Sequence, residues 1–178
     1  ISDFSVSQWN NVVTTSDYFN VCATGNSGIP NNLIGFQNSL YGDGYVGLVI
    51  YEQNTGWREY AQATFNEPLL PGCYQISLYY SNADFASLAN GLGVYLSEGT
   101  PNSYVGVEPQ VEVETAIDNY DEWFEITAEY NTAGGETHVT FGNFRTDAET
   151  EFMSRTESFP SLSYVYIDSI SVEYAGIP

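Results

Sequence analysis

The sequence predicts an all-β fold, an antiparallel β-sandwich or barrel, on three observations. Strand-like runs bounded by Gly, Pro, Asn or Asp recur along its 178 residues. Several of these runs alternate apolar and polar residues with period two, as strands with one wet face do. Helix-forming stretches are nearly absent, while strand-favouring aromatics abound, with 15 Tyr, 10 Phe and 3 Trp.

The runs fall at 45–51, 57–65, 74–81, 91–96, 110–113, 122–130, 137–144 and 164–174. In 74–80, Ile76, Leu78 and Tyr80 share one face, and Gln75 and Ser77 the other. In 123–130, Phe124, Ile126, Ala128 and Tyr130 face one way, and Glu125, Thr127 and Glu129 the other. A short run at 84–89 reads as a single helical turn. The last run changes phase: Val165 and Ile167 share one parity, Ile170 and Val172 the opposite one. A bulge at Asp168-Ser169 accounts for the flip and re-aims Asp168. A carboxylate there needs a partner, either a bound cation or a cluster of backbone donors. The stretches 10–44 and 145–163 resist strand assignment, and loops of that length are expected at the rims, shaping a binding site. One sandwich domain over 1–174 is expected, with 175–178 starting a linker or tail. Trp9 is expected in the core.

The charge is lopsided: 23 acidic residues stand against Arg58, Arg145 and Arg155, with no Lys, for a net −20. Such a chain repels phosphate backbones and anionic lipid, so nucleic acid and membrane surfaces are excluded as partners. No apolar run reaches the ~18 residues of a membrane span. An acidic, well-solvated skin points to an extracellular or cell-surface setting; an acidic patch that grips a basic partner is the alternative reading. There, Cys22 and Cys73 are a disulfide candidate; small buried hydrophobes are the alternative reading.

Catalytic signatures are missing. The lone histidine, His138, lies on the wet face of an alternating strand, with no nucleophile elbow in the chain. Acids are plentiful, but none sits in a motif that singles out a glycosidase pair. Gly42-Asp43-Gly44 and Gly91-Leu92-Gly93 open no helix, so neither cradles phosphate. Arg58 is expected to pair with Glu59 or Glu125. The chain therefore reads as a binding protein, not an enzyme.

Several segments, in order, carry a resemblance. They are Thr15-Ser16-Asp17-Tyr18-Phe19-Asn20, Ile29-Pro30-Asn31-Asn32, Gly35-Phe36-Gln37, Gly42-Asp43-Gly44-Tyr45-Val46-Gly47 and Arg58-Glu59-Tyr60. Leu69-Leu70-Pro71-Gly72-Cys73-Tyr74, Gly134-Gly135-Glu136, Phe141-Gly142-Asn143-Phe144 and Tyr164-Val165-Tyr166-Ile167-Asp168-Ser169-Ile170-Ser171-Val172 complete the set. This order resembles the jelly roll of carbohydrate-binding modules, also called galactose-binding-like. More narrowly, it is similar to surface domains of secreted and outer-membrane proteins of Bacteroidota. The resemblance implies a jelly-roll sandwich and a structural Ca²⁺, with Asp43 and Asp168 as carboxylate ligands. The family's opening strand, with an Asn-x-Ser-Phe-Glu-like segment, has no match, which points to a trimmed start or an incomplete calcium site. The implied partner is a polysaccharide or cell-surface glycan, or else neighbouring subunits of a surface assembly. Sugar rings stack on aromatic faces, so Trp57, Tyr79, Tyr104 and Trp123 are the ligand-binding candidates.

Overall fold

The computed structural model describes residues 9–11, 15–155 and 157–176. Two antiparallel sheets form a sandwich. Sheet A runs β1 (Trp9–Asn11), β4 (Ala61–Thr64), β10 (His138–Asn143), β7 (Leu92–Ser97) and β8 (Val111–Glu112). Sheet B has β2 (Asp17–Asn20), β3 (Gly44–Glu52), β12 (Phe159–Gly176), β5 (Gly72–Asn82) and β9 (Phe124–Thr132) as successive neighbours. The short β6 (Ala86–Ala89) joins β12, and β11 (Phe152–Met153) joins β6. Each of the eight expected runs contains a strand of a jelly-roll sandwich, but 57–65 is strand only over Ala61–Thr64 and 110–113 only over Val111–Glu112. The run at 84–89 is a correction: Ala86–Ala89 is strand, because Ala86 and Leu88 bury themselves beside β12 and sheet pairing overrides a weak local helix preference. Trp9's side chain lies outside the described residues.

The period-two faces assemble the core. Leu48 and Ile50 of β3, Ile76, Leu78 and Tyr80 of β5, and Val165 and Ile167 of β12 meet Ala61, Ala63, Val94, Leu96, Val139 and Phe141 from sheet A. The expected phase flip is real. The β12–β5 register shifts between Asp168 and Ser171, and Ser169 adopts φ 51°, so Ile170 and Val172 turn back onto the core.

The long segment before β3 does not stand out at a rim. It lies against the outer face of sheet B, where Phe19, Ile34, Tyr45, Val49, Tyr164 and Tyr166 form a second apolar cluster. Asn32 fastens it: its Oδ1 accepts from the amides of Ile34 and Gly35 and from the Tyr166 hydroxyl, and its Nδ2 donates to the Tyr45 hydroxyl. Gln37 Nε2 donates to Ser81 Oγ at 2.6 Å.

Cys22 and Cys73 are free thiols, which corrects the expected disulfide. Cys22 follows β2 and Cys73 opens β5, with β3 and β12 between them. Three strand spacings come to roughly 14 Å, beyond the reach of a disulfide.

Candidate functional site

The outer face of sheet A carries a polar and aromatic cluster that a loop covers: Gln62 and Thr140 are buried there. Alternation turns Gln62 on β4, His138 and Thr140 on β10, and Tyr95 on β7 away from the core. The register sets Gln62, Thr140 and Tyr95 in one cross-strand row. Tyr60, just ahead of β4, lies over Gly142. A Cβ there would stand 2.4 Å from its ring and 2.8 Å from the Glu59 carbonyl, so only glycine lets the ring down.

The loop 98–109 crosses this face and inserts one side chain. Tyr104 is 5% exposed and stacks on Tyr60, centroids 4.7 Å apart and planes at 25°. Phe144 closes the cluster against both rings and against Tyr95. Gln62 Nε2 donates to the Tyr104 hydroxyl at 2.9 Å and to Thr140 Oγ1 at 2.8 Å. Burial raises the Tyr104 phenol above its ordinary value, with the Gln62 bond acting the other way.

Two clefts flank the loop. One of about 360 Å³ lies between Tyr60 and residues 100–105. The other, about 570 Å³, is lined by residues 106–109, Glu112, Phe144, Arg145, Glu149 and Glu151. Its acids dominate: the Arg145 guanidinium is held in a two-pronged bond to Glu112 at 3.0 and 2.7 Å. An open cleft lined by carboxylates, with the partly exposed Tyr95 on the same face, suits neutral sugars. Carboxylates accept sugar hydroxyls, while an anionic ligand would be repelled.

The expected ligand residues do not converge. Tyr104 is on this face, but both neighbouring rings and Gln62 already occupy it. Trp57 is 40% exposed at the β3–β4 turn, which Glu52 ties by accepting from the Asn54 and Thr55 amides. Tyr79 lies half-buried on the outer face of sheet B, between Asp168 and Glu125. Trp123 is close to that region, but its indole N–H donates to the Asn38 carbonyl at 3.0 Å and its ring packs edge-on to Tyr45. Tyr60, Gln62 and Thr140 were not singled out. The alternation of 57–65 and 137–144 marks their faces, but only the register joins them.

The implied calcium pair fits poorly. Asp168 Oδ2 accepts from the Leu40 and Tyr41 amides at 2.8 and 3.1 Å, and its Oδ1 from the Ser169 amide at 2.7 Å. Backbone donors thus fill the role open to a cation. Asp43 is exposed, and no group of three metal-ligating side chains occurs among the described residues. Asp168 is a structural clamp on the loop before β3.

Two further expectations change. Arg58 pairs with Asp147 at 2.8 Å, not with Glu59 or Glu125, and sits 4.6 Å from the Tyr51 centroid. Its partner lies 89 residues away. Glu59 is 2% exposed and accepts from the Val49 amide at 2.8 Å, and burial raises its pKa to about 8.

No family model matches the sequence, and no curated protein does. Solved structures match the fold. The K1 cleaved adhesin domain of Lys-gingipain from Porphyromonas gingivalis W83 superposes with a TM-score of 0.54 at 16% identity, over 97% of this chain and 94% of that one. The CBM22-1 xylan-binding domain from Paenibacillus barcinonensis gives 0.53 at 11% identity, over 99% and 92%. The K2 adhesin domain of Lys-gingipain gives 0.54 at 11%, over 96% and 90%. The fold is therefore the jelly roll of carbohydrate-binding modules and gingipain adhesin domains. No helix among the described residues is long and apolar enough to cross a membrane.

Proposed function

We propose that this chain is a non-catalytic, extracellular carbohydrate-binding module whose ligand, a neutral polysaccharide or cell-surface glycan, lies along the outer face of sheet A. The observation that carries this reading is the pair of open clefts flanking the loop 98–109, with the partly exposed Tyr95 on the same face, all held in place by the buried packing of Tyr60, Tyr104, Gln62 and Thr140 beneath the loop. Stacking on the half-exposed Tyr95 supplies apolar contact, and the glutamates of the larger cleft accept hydroxyl hydrogens. The similarity in fold to a xylan-binding domain supports a polysaccharide as the first ligand to try.

Gel electrophoresis through soluble xylan, together with a glycan array, tests the reading. Retardation or array binding that is lost in Tyr95→Ala, with the fold intact, is the expected result. Binding to no glycan, or binding indifferent to Tyr95 and Gln62 substitutions, refutes it.

A further inference from the structure

Sheet B has a long outer edge that the glycan site does not use. β9 (Phe124–Thr132) pairs with β5 from Gly72↔Thr132 to Tyr80↔Phe124 with no register shift. Among the described residues, no strand pairs with its other side. In an antiparallel pair, alternate residues turn N–H and C=O away from the partner. These nine residues contain neither Pro nor Gly, so about four of them offer a regular row of backbone donors and acceptors. Edges are usually blunted by shortness, proline, a bulge or charged side chains; β9 has only the last, in its exposed Glu125 and Glu129. Its core-facing Phe124, Ile126 and Tyr130 are only partly buried, so the apolar interior runs out to the edge.

The outer face beside this edge is anionic. Three cross-strand rows lie on it: Asp168–Tyr79–Glu125, Ser171–Ser77–Thr127 and Glu173–Gln75–Glu129. Glu125, Glu129 and Glu173 are exposed. No base answers them. The chain has no Lys, and its three Arg pair elsewhere, with Asp147, Glu112 and Asp118.

We infer that β9 is a docking edge for an extended segment of a partner protein that presents Lys or Arg outward and apolar residues inward. An added strand extends sheet B through the open backbone groups of β9. Directly opposed residues on neighbouring strands stand roughly 5 Å apart at Cβ. Two bases on the same face, four residues apart, therefore meet Glu125 and Glu129, and the apolar residues between them meet Ile126 and Ala128. A second copy is the poorer occupant. Antiparallel pairing of two β9 strands about Thr127 would set Glu125 against Glu129 twice, between molecules of net charge −20.

The probe is a nine-residue peptide alternating outward Lys, Thr and Lys with inward Val, compared with the same peptide carrying Glu for Lys. The Lys peptide is expected to bind saturably and slow hydrogen exchange at alternate β9 amides. Its affinity should fall in about 0.5 M NaCl, where screening lengths are only ~4 Å. The double reversal Glu125→Lys with Glu129→Lys changes only exposed positions, and a melting curve checks that it folds. It should lower affinity for the Lys peptide roughly tenfold and favour the Glu peptide instead. Equal binding of both peptides, binding without protection of β9 amides, no binding at all, or self-association through β9 in place of peptide binding would overturn the inference. Glycan binding reads out on the opposite sheet, so the two proposals fail separately.

Discussion

Glu59→Gln probes the cost of burying a carboxyl group. The side chain is 2% exposed, and its one backbone donor, Val49, offsets only part of the cost of burying a carboxylate. Burial, aided by the nearby charge of Asp17, raises the pKa from 4.5 to about 8. The group is protonated in both states below about pH 4.5. Between there and about 8 the unfolded chain releases the proton and the folded protein keeps it, so stability falls as pH rises, by up to about 1.4 kcal/mol per unit. Over the whole window the loss is on the order of 5 kcal/mol. Glutamine keeps an oxygen for the Val49 amide and has no proton to lose. Urea unfolding of both proteins at intervals from about pH 4.5 to 8.5 reads the difference, and the other acids, common to both, cancel. The variant's advantage should grow steadily through this window, to several kcal/mol at the alkaline end. A difference that stays flat between about pH 5 and 8 would refute a buried, protonated Glu59.

Three further substitutions probe the packing that positions the site. Asp168→Asn weakens three charge-assisted bonds to backbone amides and should cost about 2–3 kcal/mol in urea unfolding. The wild-type melting temperature should be the same in calcium and in chelator if amides, not a cation, satisfy Asp168. Gly142→Ala drives a methyl into the Tyr60 ring and backbone, and should lower stability by about 1–3 kcal/mol while weakening glycan binding. Tyr104→Phe removes the hydroxyl that accepts from Gln62; it should cost about 1 kcal/mol and speed amide exchange in the loop 98–109.

What the sequence revealed follows from which interactions are local. The bulge in β12 was legible because four apolar residues on one strand, Val165, Ile167, Ile170 and Val172, must all reach the same core, and a parity change permits only a kink. The eight main strands were legible for the same reason. The burial of Tyr104 was not, since it depends on a loop folding onto a sheet whose partner residues, Tyr60 and Gln62, lie more than forty positions away. Arg58's choice of Asp147 over the adjacent Glu59 has a similar origin: its partner is brought up by the fold from 89 positions away. The long polar stretch before β3 looked like a rim loop by composition. Its scattered Ile29, Ile34 and Gln37 instead cover an apolar outer face of sheet B that no single strand announces.

The central claim, that ligand lies on the outer face of sheet A, is tested most directly by amide chemical-shift mapping of the labelled chain during titration with soluble xylan fragments. Shifts are expected to concentrate on Gln62, Tyr95, His138 and Thr140 and along the loop 98–109. Shifts confined to β5, β9 and β12, or saturation of the array's best glycan without movement in sheet A, would contradict it.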